Sequence, residues 1–131
     1  YCIDRKVANP DRVIQECLTY TGLTKTGKKT FSEFSLGMKQ RLGIAIALID
    51  KPDLLILDEP FNNLGPIDVK EFHLMIQRIS QGLGTPLIIS SHILSELSLV
   101  ATKFGVLEQG KLVTEFTKEE FDPQLIPEQL N

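Results

Sequence analysis

The sequence predicts a three-layer α/β protein, and three observations carry that expectation. Two short apolar runs, Leu54-Leu55-Ile56-Leu57 and Leu87-Ile88-Ile89, have the length and composition of strands buried on both faces of a parallel sheet. Each is followed by a stretch with apolar residues at helical spacing, and strand-helix alternation is the mark of an α/β fold. Near the end, Phe104 to Leu107 and Leu112 to Phe116 flank Gln109-Gly110 and read as an antiparallel hairpin.

The elements follow in order. Asn9-Pro10-Asp11 predicts a helix start, with a capping side chain, a proline at the first helical position and an acid on the positive end of the dipole. Val13, Ile14, Cys17 and Leu18 form its apolar stripe, and Gly22 is placed to end it after about Tyr20. Residues 24–33 are polar, include Lys25, Lys28 and Lys29, and have no period, so they read as a surface loop. A second helix is expected from Ser35 to Asp50. The first buried strand spans Asp53 to Asp58. Pro66 opens a helix whose face is Val69, Phe72, Ile76 and Ile79, ending near Gly82 and Gly84. The second strand runs from Pro86 to Ser90, and a third helical stretch from Ile93 to Val100. Residues 117–131, with Pro123 and Pro127, are expected to form a short helix and a loose tail.

Composition narrows the class. The chain has 131 residues, 42% apolar and 24% charged, with a net charge of -3, which excludes disorder and fits a single domain. At this length about two-thirds of the unfolded surface can be buried, so no disulfide or structural metal is required. Cys2 and Cys17 match no zinc spacing and are expected to be small buried or half-buried thiols in a reducing compartment. Fourteen basic against seventeen acidic residues do not supply a broad phosphate-binding surface, so no nucleic-acid partner is expected. No apolar run approaches the roughly 20 residues of a membrane span. The chain begins with Tyr1 and opens in mid-pattern, and is expected to be a piece of something longer.

One apparent motif fails on inspection. Gly22-Leu-Thr-Lys-Thr-Gly27-Lys28-Lys29 approaches the phosphate-loop pattern, but Lys29 stands where a hydroxyl should ligate magnesium. The segment also follows a helix and not a buried strand. It reads as a solvated basic loop.

Three constellations remain. Asp58 and Glu59 end the first strand, at the carboxyl edge where ligands sit in open parallel sheets. Adjacent carboxylates there suit a hydrated magnesium ion and a polarised water, although one could simply cap the turn. Ser90-Ser91-His92 ends the second strand at the same level, and the imidazole could meet a phosphate oxygen or an attacking water. The alternative is a serine N-cap followed by an exposed His92. His73, in mid-helix, reads as a surface or packing residue. Finally, Phe34-Ser35-Leu36-Gly37-Met38-Lys39-Gln40-Arg41 opens a helix with a serine cap, an early glycine and two cations, together an anion site. Gly37 would let a phosphate approach the backbone. The plain alternative is a capped amphipathic helix buried through Leu42, Ile46 and Ile49.

Taken together, and in this order, these residues resemble the nucleotide-binding domain of an ATP-binding cassette (ABC) protein. Phe34 to Arg41 resembles the family's signature motif, Leu54 to Glu59 its Walker B strand, Asn63-Leu64-Gly65 its D-loop and His92 its switch histidine. The run from Ile89 to Leu97 further resembles cassettes of exporters that protect bacteria against lantibiotics or bacitracin. The resemblance implies a P-loop NTPase-like α/β fold, with residues 1–50 as a helical subdomain, 51–116 as part of the catalytic core with its partial parallel sheet and hairpin, and 117–131 as a tail. It implies ATP and magnesium as ligands. Asp58 would hold magnesium through water, Glu59 would orient and deprotonate the attacking water, and His92 would contact the γ-phosphate. Ser35 and Gly37, with Lys39 and Gln40, would bind ATP held by the opposite subunit of a head-to-tail dimer. A transmembrane permease would be the other partner, placing the protein at the cytoplasmic face of the membrane.

Leu36 replaces the first glycine of the signature and Met38 its glutamine, while Gly65 occupies the place of the D-loop aspartate, which puts coupling between paired ATP sites in doubt. No phosphate loop, adenine-stacking segment or glutamine-bearing loop precedes the signature. The chain alone is therefore expected neither to bind ATP tightly nor to hydrolyse it, and to self-associate through unpaired sheet edges. Two other functions fit the resemblance less well: a soluble cassette of translation or DNA repair, and a non-hydrolysing regulatory cassette.

Overall fold

The computed structural model describes residues 5–122. The elements in chain order are α1 (Pro10–Thr21), a 3₁₀ turn (Phe31–Glu33), α2 (Leu36–Ile49), β1 (Leu55–Asp58), α3 (Pro66–Arg78), a π-helical turn (Ile79–Leu83), β2 (Leu87–Ser90), α4 (Leu94–Val100), β3 (Lys103–Glu108) and β4 (Lys111–Thr117). The expected α/β order is present. Cys2 and the helix expected in the tail beyond residue 122 lie outside the described residues.

β1 and β2 pair in parallel with Asp58 opposite Ser90, so the two strands end level with one another. Burial along β1 alternates: Leu55 and Leu57 are buried whereas Ile56 is 66% exposed. This corrects the expectation of strands buried on both faces. Leu55 and Leu57 join one core cluster with Cys17, Ile44, Ala45, Leu48, Phe61, Phe72, Met75, Ile76 and Ile79, and Leu87 and Ile89 pack against it. In the described residues, helices therefore cover one face of this two-stranded sheet, and Ile56 and Ile88 stand on the other.

The helix boundaries follow their capping chemistry. Pro10 occupies the first turn of α1 with Asp11 beside it, but Asn9 is left-handed (φ 50°) and its side chain makes no cap bond, correcting that detail. At the other end Gly22 (φ 70°) lets its own amide and that of Leu23 reach back to Thr19 O and Leu18 O, closing the helix in a left-handed cap. α3 buries Phe72 and Ile76 of its predicted face, together with Met75, while Val69 is half-buried and Ile79 is buried just beyond the helix in the π-helical turn.

α2 departs from expectation in the face it buries. Gly37, Arg41, Ile44, Ala45 and Leu48 are buried, while Ile46 is exposed and Leu42 and Ile49 are half-buried. The helix is apolar on most of its circumference, so periodicity alone does not select a face. The docking of Gly37 and Arg41 selects it.

β3 and β4 form the expected hairpin through Gln109 and Gly110, both at positive φ, with a register irregularity between Val106 and Leu107. Phe104 and Phe116 stack at 5.1 Å, and Phe121 stacks on Phe104 at 5.2 Å. The turn at 117–120 seats that third ring, with Glu120 Oε2 accepting from Thr117 N (2.8 Å) and Oγ1 (3.0 Å).

Candidate functional site

The level ends of β1 and β2 build one cluster. Ser90 Oγ donates to Asp58 Oδ1 at 2.5 Å and accepts from the Glu59 amide at 2.9 Å. The same amide lies 3.1 Å from Ser90 O. Glu59 has φ 48°, a conformation that costs a non-glycine residue free energy and persists where surrounding bonds hold it. Ser90 and the buried Pro60 hold it here. Thus turned, Glu59 Oε2 lies 3.0 Å from His92 Nδ1. Ser91 Oγ accepts from the Ile93 amide at 2.9 Å, which shapes the turn that presents His92.

This geometry sorts the candidates. Asp58, Glu59 and His92 come together, as the sequence led one to expect, and the imidazole is exposed enough (64%) to meet a ligand. A carboxylate on Nδ1 fixes the ring's orientation and leaves Nε2 pointing elsewhere as the working nitrogen. Ser90 was read as a possible cap, but its hydroxyl ties the Asp58 carboxylate and the Glu59 amide to β2. The signal for it was its position opposite Asp58, which only the parallel register reveals.

A second cluster lies at the start of α2. Ser35 caps the helix, its Oγ accepting from the Met38 amide at 3.1 Å. The preceding 3₁₀ turn is pinned by Glu33 Oε2, which accepts from Thr30 N and Oγ1. Those two bonds, the backbone one first, hold the exposed Glu33 carboxyl below the usual glutamate range. Lys39 Nζ sits 5.2 Å over the Phe31 ring. Gln40 Oε1 is buried with no hydrogen-bond partner. Gly37 is buried, and the space its Cβ would occupy is filled by Asp68: a built Cβ would lie 2.4 Å from Cγ. Its missing side chain thus serves the α2–α3 contact, a physical reason different from open access for a phosphate. Among the described residues no hydrogen bond or ion pair joins this cluster to Asp58, Glu59 or His92.

Arg41, read from the sequence as one of two cations of an anion site, is turned inward instead. It is 6% exposed, donates to Thr21 O and Gly22 O, both at 3.2 Å, and faces Asp68 and Glu71. His73 is the packing residue expected. Its ring meets Phe61 edge-on at 5.3 Å, and Nε2 lies 3.1 Å from Glu96 Oε2 without hydrogen-bond geometry. The cavity lined by Arg12, Tyr20, Arg78 and Gly82 contains none of the candidate site residues.

The donor set suits hydrated magnesium. Asp58 is exposed at the strand end, and no group of three or more His, Cys, Asp or Glu side chains forms a cage among the described residues. Magnesium keeps several waters and takes one or two carboxylates, so a single carboxylate flanked by Glu59 fits it better than a dedicated cage would.

Carboxylates and an imidazole at the carboxyl ends of parallel strands, on this α/β framework, define a protein of the P-loop NTPase fold class. The comparisons make it specific. Residues 4–62 match the family model described as ABC transporter. A bacitracin transport ATP-binding protein of Enterococcus faecalis is 48% identical over 102 residues, 78% of this chain and 33% of that protein. A lantibiotic transport ATP-binding protein of Streptococcus pyogenes is 46% identical over 105 residues, 80% of this chain and 45% of that protein. A solved structure from Clostridium perfringens, part of an ABC transporter complex, superposes with a TM-score of 0.77 at 28% identity, covering 84% of this chain and 44% of that one. A dimeric ATP-binding cassette bound to ADP and Pi shares the fold, with a TM-score of 0.69 at 19% identity over 87% of this chain and 50% of that one. The chain is thus similar to the ATP-binding proteins of ABC transporters. It spans between a third and a half of the length of these relatives.

Proposed function

We propose that this chain is part of the ATP-binding subunit of an exporter, and that the whole protein hydrolyses ATP to drive transport of an antimicrobial peptide through a partner permease. The observation that carries the reading is the Glu59–His92 pair at the ends of β1 and β2, with Asp58 and Glu59 both fixed by Ser90. The likeness to bacitracin and lantibiotic transport proteins supports the substrate class. No helix among the described residues is long and apolar enough to cross a membrane, consistent with a subunit that works against a permease at the cytoplasmic face.

In this reading Glu59 orients a water and accepts its proton, and His92 uses Nε2 to stabilise charge on the terminal phosphate. Asp58 holds magnesium through water, and the metal supplies charge neutralisation on the phosphates. Ser35, Gly37, Lys39 and Gln40 form the half-site offered to ATP on a second copy in a head-to-tail dimer.

The test is magnesium-dependent ATP hydrolysis by the full-length protein. Glu59→Gln is expected to lower kcat by about a hundredfold or more, the usual worth of a positioned general base. Turnover that survives this substitution undiminished would overturn the assignment of Glu59. The 131-residue chain by itself is expected to show no robust turnover.

A further inference from the structure

We propose that Arg41 is a positioning residue, which together with Asp68 and Gly37 locks the serine-capped start of α2 onto the start of α3. The candidate half-site at Ser35 and the segment that leads out of Glu59 then share one rigid support.

Gly37 and Arg41 are four residues apart and so lie on one face of α2, a turn from one another. Asp68 and Glu71, three residues apart, lie on one face of α3 in its first turns. Asp68 fills the space over Gly37 so closely that even a methyl group there would overlap its carboxyl carbon. The Arg41 guanidinium lies 4.0 Å from Asp68 Oδ1 and 3.9 Å from Glu71 Oε2. It also holds the last carbonyls of α1 through Thr21 O and Gly22 O. One buried side chain therefore reaches three helices, by hydrogen bonds to the end of α1 and by ion-pair contacts with α3. Asp68 is three residues beyond Gly65, where the segment that begins at Glu59 enters α3. Any shift of α2 that drags Asp68 is thus delivered to that segment.

Two features make this more than packing. The guanidinium donates to two carbonyls from one nitrogen while its two terminal nitrogens each face a carboxylate, an arrangement that a lysine ammonium, a single point charge, reproduces poorly. The polar lock also joins the ends of α2 and α3 that lead to the candidate site, where placement must hold to about half an ångström to be useful. The lock stands on contacts alone, whereas its consequence for turnover rests on the ATPase reading above.

Amide hydrogen exchange and steady-state ATP turnover on the full-length protein test both parts. Asp68→Asn and Arg41→Lys are expected to speed exchange at amides 36–41 and 61–69 together while leaving the hairpin amides 103–117 unchanged. Gly37→Ala should loosen the same two segments, because its methyl group would meet the Asp68 carboxyl. In turnover, kcat should fall by about tenfold with the KM for ATP held within about twofold, since a misplacement of about 1 Å can cost up to a hundredfold. If Arg41→Lys does not fold, Asp68→Asn, an isosteric change at a partly exposed residue, carries the test. Faster exchange everywhere, hairpin included, or loosening of 36–41 alone, would overturn the lock. Coupled loosening with kcat unchanged would overturn the positioning role, and turnover unaffected by Glu59→Gln would instead remove the ATPase reading and leave the lock standing.

Discussion

Gly65 shows how a single residue can be unusual for its place without being demanded by the fold. Its φ of -73° is open to any residue, and nothing lies within 4 Å of where a Cβ would stand. It caps α3 with no side-chain bond. An aspartate here would accept from the free amides of the first turn and complement the dipole, offset in part by Asp68 nearby. Gly65→Asp should therefore stabilise the chain by about 0.5 kcal/mol, the sum of a cap gained over glycine and a screened dipole interaction. That corresponds to a rise in Tm of about 2 °C, measurable by thermal denaturation. A fall in Tm would mean that the loop after Glu59 cannot accept the side chain, and that the glycine is structural after all. Gly37 is the opposite case, since it is a glycine that its neighbour Asp68 does require. The sequence offers no way to tell these two glycines apart, because what constrains Gly37 is Asp68, a residue distant in sequence.

Two short turns use one device at the scale of elements. Thr30 with Glu33, and Thr117 with Glu120, each put a glutamate carboxylate on the amide and hydroxyl of a threonine three residues earlier. Backbone and side-chain bonds from the threonine, in that order, lower the pKa of both glutamates. A carboxyl whose folded pKa is depressed contributes stability above its unfolded pKa, and that contribution is lost as pH falls through the folded value. Both turns should hold above the usual glutamate pKa of about 4.3 and open on the acid side of it. In an NMR titration the Thr30 and Thr117 amides should move with midpoints below that of an unbonded glutamate. Midpoints at or above the usual value would show that the carboxylates do not bind the amides in solution. The pattern Thr-x-x-Glu was legible in the sequence at both places, but each stands in a stretch with no helical period, so it read as loop and tail. Strands, hairpin and the Pro10 and Pro66 helix starts were legible because period and punctuation agree there. The face of α2 was not, because an all-round apolar helix carries no phase, and a buried arginine looks the same in sequence as an exposed one.

For the molecule as a whole, the open face and edges of the β1–β2 pair set its behaviour in solution. Ile56 (66% exposed) and Ile88 (55%) are register partners on the open face, Leu54 (44%) stands just before β1, and among the described residues each strand has one unpaired edge. Fully burying an aliphatic side chain contributes about 1.5–3 kcal/mol, so covering the exposed part of these three on each of two chains supplies roughly 5–10 kcal/mol. Losing translational and rotational freedom costs about 4–15 kcal/mol. The balance is small, and edge-to-edge hydrogen bonding has to tip it, so association should be weak and should depend on concentration. Static light scattering of the 131-residue chain, run from micromolar to millimolar concentration, should show the mean mass rising. Ile56→Lys with Ile88→Lys should return it to the monomer mass, because two cations on the open face oppose a second copy while leaving Leu55, Leu57 and Ile89 in the core. A wild-type chain that stays monomeric over the whole series would show that a bare sheet face of this size is too small to drive pairing. If the double substitution left the association intact, the contact would lie elsewhere, and the exposed Leu107, Leu112 and Val113 of the hairpin would be the surface to change next.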